Sequence, residues 1–92
     1  MITIHKFPLE QRNINEVEMP EGAEILSVQI QNGTLCLWAK VNTDYPEEKR
    51  AIRIIGTGNY INPCEPLVFI TTYQFEGLVF HVFEIPNEYK KL

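Results

Sequence analysis

The stretch AEILSVQIQNGTLCLWAKVN, residues 23–42, decides the fold class. Two alternating apolar runs flank Asn32-Gly33, the strongest short-range signal for a two-residue type I′ hairpin. Such a turn sets the register, placing Ile30 opposite Leu35, Val28 opposite Leu37 and Leu26 opposite Ala39. All six are apolar, so they form the predicted core face. The other face then holds Gln31 with Thr34, Gln29 with Cys36, Ser27 with Trp38 and Ile25 with Lys40. A one-residue slip would turn every apolar side chain to the wrong face, so turn chemistry and face pattern support one another.

Outward from this hairpin, period-2 alternation recurs and no stretch keeps a 3.6-residue period. ITIHKF (2–7) alternates and stops at Pro8. NEVEM (15–19) closes at the turn Pro-Glu-Gly, and its alternating glutamates suit an edge strand, where charge blocks sheet-to-sheet association. TDYPEEK (43–49) reads as a loop or one short helical turn. RAIRIIG (50–56) reads as a strand with Ile52 and Ile54 on one face and Ala51, Arg53 and Ile55 on the other. LVFITTYQFEGLVFHVFEI (67–85) reads as a second hairpin around Glu76-Gly77, pairing Phe75 with Leu78, Tyr73 with Phe80 and Thr71 with Val82. Its other face pairs Gln74 with Val79, Thr72 with His81 and Ile70 with Phe83. The sum is one all-β domain over residues 1–92, a small antiparallel β-sandwich or open barrel of about six to seven strands with two tight hairpins. Residues 86–92 form an expected flexible tail.

The bulk numbers narrow the function classes. Ninety-two residues make one domain with a modest core, for which homo-oligomerisation is a natural supplement. A net charge of −4 argues against binding duplex nucleic acid, which calls for a basic stripe. A small anionic ligand needs only a few local donors and stays open. Lys49-Arg50 and Lys90-Lys91 are the only adjacent basic pairs, read as solubilising. Cys36 and Cys64 make no metal motif, so no metal and no cofactor is expected. MITIHKFPLE lacks the apolar run of a signal peptide, and no run reaches membrane-spanning length; the expectation is a cytoplasmic protein.

The candidate chemistry centres on RIIGTGNYINP (53–63). Glycine-rich loops cradle phosphate when a helix follows, but Pro63 and Pro66 break the segment that follows this one. Gly56 and Gly58 therefore read first as positive-φ turn residues. Around them Arg53, Thr57, Asn59 and Tyr60 bring guanidinium, hydroxyl, amide and phenol groups, a set that suits a polar ligand. Trp38, on the polar face of the first hairpin beside Lys40, is either covered by another element or part of a binding surface. His81 has no nucleophile or orienting acid in its pattern, since Glu84 points to the opposite face. It reads first as structural, with His81 and Lys40 as secondary ligand-binding candidates, and no catalytic residue is expected.

Most of the chain resembles a set of small proteins encoded by bacteria and their phages, of uncharacterised function. The resemblance rests on MPEGA (19–23), QNGTLCLWA (31–39), RIIGTG (53–58) and HVFE (81–84). That pattern has a histidine after Gly-Thr-Gly, where Asn59 stands here. The phage context implies a non-catalytic protein that neutralises a host factor. One version is sequestration of a small nucleotide immune signal, with Arg53 on phosphate, Trp38 or Tyr60 stacked on a base, and the Gly56-Thr57-Gly58 backbone in close approach. The alternatives are an interaction module that inhibits a host protein, and a virion or accessory structural protein.

Overall fold

The structure, a computed structural model, describes residues 1–87. Its strands are β1 (Ile2–Pro8), β2 (Ile14–Pro20), β3 (Glu24–Gln31), β4 (Thr34–Asn42), β5 (Glu47–Gly56), β6 (Val68–Phe75) and β7 (Leu78–Ile85). They form two antiparallel sheets, ordered β1-β4-β3 and β2-β5-β7-β6. The molecule is 16 Å across its thinnest axis, two sheet layers. The sheets stay open and do not close into a barrel, which settles the architecture as a sandwich. Among the described residues no helix is long and apolar enough to cross a membrane.

Both hairpins turn as their residues require. Asn32 (φ 50°) and Gly33 (φ 80°) both take the left-handed region that a type I′ turn demands, and Glu76 (φ 51°) and Gly77 (φ 79°) repeat it. The expected register of β3 and β4 holds from Gln31–Thr34 to Ser27–Trp38, then shifts. A bulge at Leu26 inserts one residue, so Ile25, not Leu26, lies opposite Ala39, and Glu24 lies opposite Lys40. Ile25 consequently packs on the core while Leu26 is 45% exposed. The second hairpin bulges in the same way at Ile70, which puts Phe69 instead of Ile70 opposite Phe83. The loop at 43–49 is shorter than expected, because β5 begins at Glu47.

The core lies between the sheets and is built from Val28, Leu35, Leu37, Ala39 and Val41 on one side and Val17, Met19, Ile52, Ile54, Tyr73 and Val82 on the other. β2 is an edge strand, as its glutamates suggested. β5 is buried on both faces: Ile52 and Ile54 reach the core, while Ala51 and Ile55 are buried on the outer face. Residues 57–67 return over that outer face, where Glu65 meets Arg53 at 3.5 Å.

The two ends of the sandwich differ. At one, Arg50 points between the sheets and grips Glu84 through Nε and Nη2, and its Nη1 donates to the Ala23 carbonyl at 2.9 Å. Glu48 joins this end, accepting from Gly22 N–H at 3.2 Å and from Asn87 Nδ2 at 2.9 Å. Pro86 and Asn87 are half-buried here, and the remainder of the expected tail lies outside the described residues. The other end carries the candidate site.

Candidate functional site

Gly56, six residues along β5 from Arg50, sits about 20 Å from the charged end at the rise of a β-strand. It pairs with Phe80 of β7, which in turn pairs with Tyr73 of β6, so the three share the inner face. The Tyr73 and Phe80 rings stack at 5.3 Å and 22°. Tyr73 is buried, and burial pushes its phenol pKa up. Phe80 remains half-exposed.

Residues 9–13, which carry the chain from β1 in one sheet to β2 in the other, close over this end. Leu9 is buried and anchors the segment. Asn15, the buried polar residue of the core, pins it from both sides: its Oδ1 accepts from Glu10 N–H and its Nδ2 donates to Glu10 C=O, each at 2.9 Å. The Tyr73 hydroxyl donates to Gln11 Oε1 at 3.3 Å. Those bonds leave Gln11, Arg12 and Asn13 around a concavity of about 120 Å³ whose other walls are Ile54, Gly56, Asn59, Tyr73 and Phe80. A second concavity of about 240 Å³ adjoins it, sharing Gly56, Asn59 and Phe80 and adding Thr57, Leu78 and Val79.

The Gly-Thr-Gly segment makes the rim. Asn59 N–H donates to Gly56 C=O at 3.1 Å, closing a four-residue turn with Gly58 at its third position. Gly58 takes φ 89°, the left-handed conformation a type II turn requires there. Gly56 does not take positive φ, contrary to expectation. Its lack of a side chain has another cause: a Cβ there would come within 3.2 Å of Asn59 Nδ2 and 3.7 Å of the Phe80 ring. The glycine makes room for the Asn59 amide. Gly56→Ala is expected to shift unfolding stability by no more than about 1 kcal/mol, because the amide can swing away. It should weaken any ligand held by that amide about tenfold, the worth of one hydrogen bond. Chemical denaturation and calorimetry on the same variant check the two halves.

The other sequence candidates are dispersed. Arg53 does not face the groove: its neighbours Ile52 and Ile54 point to the core, so it projects from the outer face. There it is mostly buried against Glu65, with its Nε unpartnered. Thr57 turns to His81, whose Nε2 lies 2.8 Å from Thr57 Oγ1 and whose Nδ1 lies 3.1 Å from Thr72 Oγ1. Both ring nitrogens are thereby occupied by hydroxyls, one from the turn after β5 and one from β6. Tyr60 is 80% exposed. Trp38 and Lys40 belong to the outer face of the three-stranded sheet, on the opposite side of the molecule from Arg53. A single ligand cannot meet Arg53 and Trp38 of one copy. Trp38 is half-buried beside Lys6 of β1, and a Lys6 Nζ–Gln31 Oε1 bond of 3.0 Å spans β4 over the buried Cys36. Among the described residues no group of three or more histidine, cysteine or acidic side chains is placed to hold a metal.

Gly56, Thr57 and Asn59 are therefore the sequence candidates that line the groove, and Gln11, Arg12, Asn13, Tyr73 and Phe80 join them. No curated protein and no solved structure matches the chain. A family model described as "Domain of unknown function (DUF7352)" matches residues 1–91, and the chain belongs to that family.

Proposed function

We propose that this is a non-catalytic binding protein of phage or prophage origin that holds a small, flat, anionic ligand of nucleotide type in the end groove. By sequestering such a signal it would neutralise a host defence. The observation that carries this reading is the make-up of the groove: an aromatic base at Phe80, amides from Gln11, Asn13 and Asn59, and the Arg12 guanidinium at the mouth. Apolar walls with a few convergent polar groups are what a small-molecule site requires. Each concavity is smaller than the roughly 300 Å³ at which drug-sized pockets begin, so the fit is one heterocycle with its phosphate outside. Arg12 is exposed, and its present partner, Glu10 at 3.4 Å, is an exposed ion pair that a phosphate can displace. The lining residues include no carboxylate, cysteine or histidine, which favours binding over turnover.

Thermal shift against cyclic mononucleotides, cyclic dinucleotides and ADP-ribose derivatives tests this. A ligand at about 100 times its Kd adds roughly 2.7 kcal/mol, upwards of about 10 °C for a domain of this size. The shift should disappear in Arg12→Ala. A flat response to the whole panel, or a shift that survives in Arg12→Ala with Asn59→Ala, overturns the reading.

A second reading, an interaction module for a host protein, is favoured by the Trp38 face, where Ile2 and Ile4 are 66% and 58% exposed. Retention of a host protein by the wild type and its loss with Trp38→Ala would support that reading instead.

A further inference from the structure

The sandwich has strand edges at β1, β3, β2 and β6, and they are not equally guarded. β3 and β6 lie side by side, joined by a Gln29 Nε2–Thr71 Oγ1 bond of 3.2 Å, and each carries a bulge. β2 carries Glu16 and Glu18 on its outer side, so a second β2 laid against it would set carboxylates together. β1 has no bulge and no carboxylate, and its guards, Lys6 and Pro8, stand at the C-terminal end of the strand and leave Ile2–His5 open. It is a regular strand, ITIHKFP, without an acidic residue in a chain of net charge −4.

The hydrogen-bond phase of β1 shows which of its groups are free. Leu9 N–H donates to Leu35 C=O and Thr43 N–H to Met1 C=O, both at 2.8 Å, in register with the β1–β4 pairing. The odd-numbered residues of β1 therefore bond to β4, and antiparallel alternation turns the amides of Ile2, Ile4 and Lys6 to the open edge. Among the described residues no other strand meets them. The side chains of Ile2 and Ile4 project from the outer face of the sheet and are the most exposed aliphatic groups on this strand.

We infer that this edge is the docking surface for β1 of a second copy of the chain, antiparallel, with the two-fold axis at Ile4. That register uses each free amide and avoids Pro8, which has no N–H to offer. Ile4 then faces Ile4 of the partner subunit, and Ile2 faces Lys6 of the partner subunit, whose alkyl stem covers the isoleucine once its ammonium gives up the exposed bond to Gln31. The two three-stranded sheets become one continuous sheet, an isologous contact that closes on itself. The groove is lined by β5, β6, β7, the 57–59 turn and the 11–13 crossover and by no residue of β1, so dimerisation and ligand binding are separately measurable.

Sedimentation velocity from about 1 µM to about 0.5 mM is the test, a span that covers weak edge-to-edge contacts. The wild type should pass from a 10.7 kDa species to one of twice that mass as concentration rises. Ile4→Lys, which sets two ammonium groups on the axis, should stay monomeric with its melting temperature at low concentration unchanged. An equimolar mixture of Ile4→Lys and Ile4→Glu should recover the dimer. Ile2→Glu should tighten it roughly threefold to tenfold, since each new carboxylate meets Lys6 of the partner subunit. A wild type that is monomeric throughout overturns the inference. So does a dimer that persists in Ile4→Lys, a mixture that fails to associate, or an Ile2→Glu variant that dimerises no better than wild type.

Discussion

Arg50→Ala is expected to lower the free energy of unfolding by about 1.5–3 kcal/mol, the range for hydrogen bonds to a charged group, because the pair is half-buried and borders an open cavity of about 630 Å³. The Arg50 and Glu84 side chains are 12% and 17% exposed, and the guanidinium meets the Glu84 carboxylate through two nitrogens. Its remaining arm holds the Ala23 carbonyl, and Glu48 stands 3.7 Å away. Without the cation, Glu84 stays between the sheets with no positive partner there, and the turn before β3 loses its tie to β5. Hydrogen bonding to Glu84 chiefly raises the Arg50 pKa, against a smaller lowering by burial. The arginine's part of the stabilisation is therefore complete at neutral pH and lost only in strong alkali. Arg50→Lys should lose much of the effect, because an ammonium cannot make the two-pronged contact. Arg50→Met with Glu84→Leu should recover more than half, since apolar replacement of both partners removes the stranded charge. Urea denaturation of the four proteins decides the matter. A single-variant cost below about 1 kcal/mol would show the pair to be solvated and ornamental.

This network also shows where sequence reading reaches its limit. Arg50 and Glu84 are 34 residues apart, and nothing local distinguishes Arg50 from its neighbour Lys49, read with it as a solubilising pair. Alternation does show that residues 50, 52 and 54 share a face, but a cation at the inner end of that face runs against the pattern that identifies it. Hairpin pairing, by contrast, was legible near Asn32-Gly33, because turn geometry and apolar pattern constrain the same few residues. It failed at Leu26 for a definite reason. Ile25 and Leu26 are both apolar, so a period-2 pattern tolerates one inserted residue there without any visible break. Ile70, next to Phe69, hides the second bulge in the same way.

The site was half legible for a related reason. Glycines announced the turn, and Gly56, Thr57 and Asn59 do line the groove. Arg53 looked like their companion because it stands only three positions before Gly56. Strand parity sends the two to opposite faces. The arginine at the groove is Arg12, delivered by a crossover between sheets that no local pattern marks.

Asn15→Leu is the sharpest test of how that crossover is held. Leucine shares the branched outline of the Asn15 side chain, with bulkier methyl groups in place of the amide atoms, so the exchange removes the polarity and adds some bulk at a buried site. Both of its amide groups serve Glu10, one accepting from the N–H and one donating to the C=O, at 2.9 Å. Leucine would strand both backbone groups beneath residues 9–13, at a cost of about 1–3 kcal/mol for each group that stays unsatisfied. We expect a loss of about 3 kcal/mol, or roughly 15 °C in Tm. The alternative open to the chain is to let the segment lift and hydrate, which lowers the thermodynamic cost but opens the groove. Stability and binding therefore trade against each other. A variant that keeps its Tm should lose protection of the Glu10 and Arg12 amides in hydrogen exchange, together with any nucleotide-induced shift. A variant that keeps Tm, protection and ligand response alike would show that Leu9 and Tyr73 suffice to hold the crossover, and that the paired bonds to Glu10 add nothing.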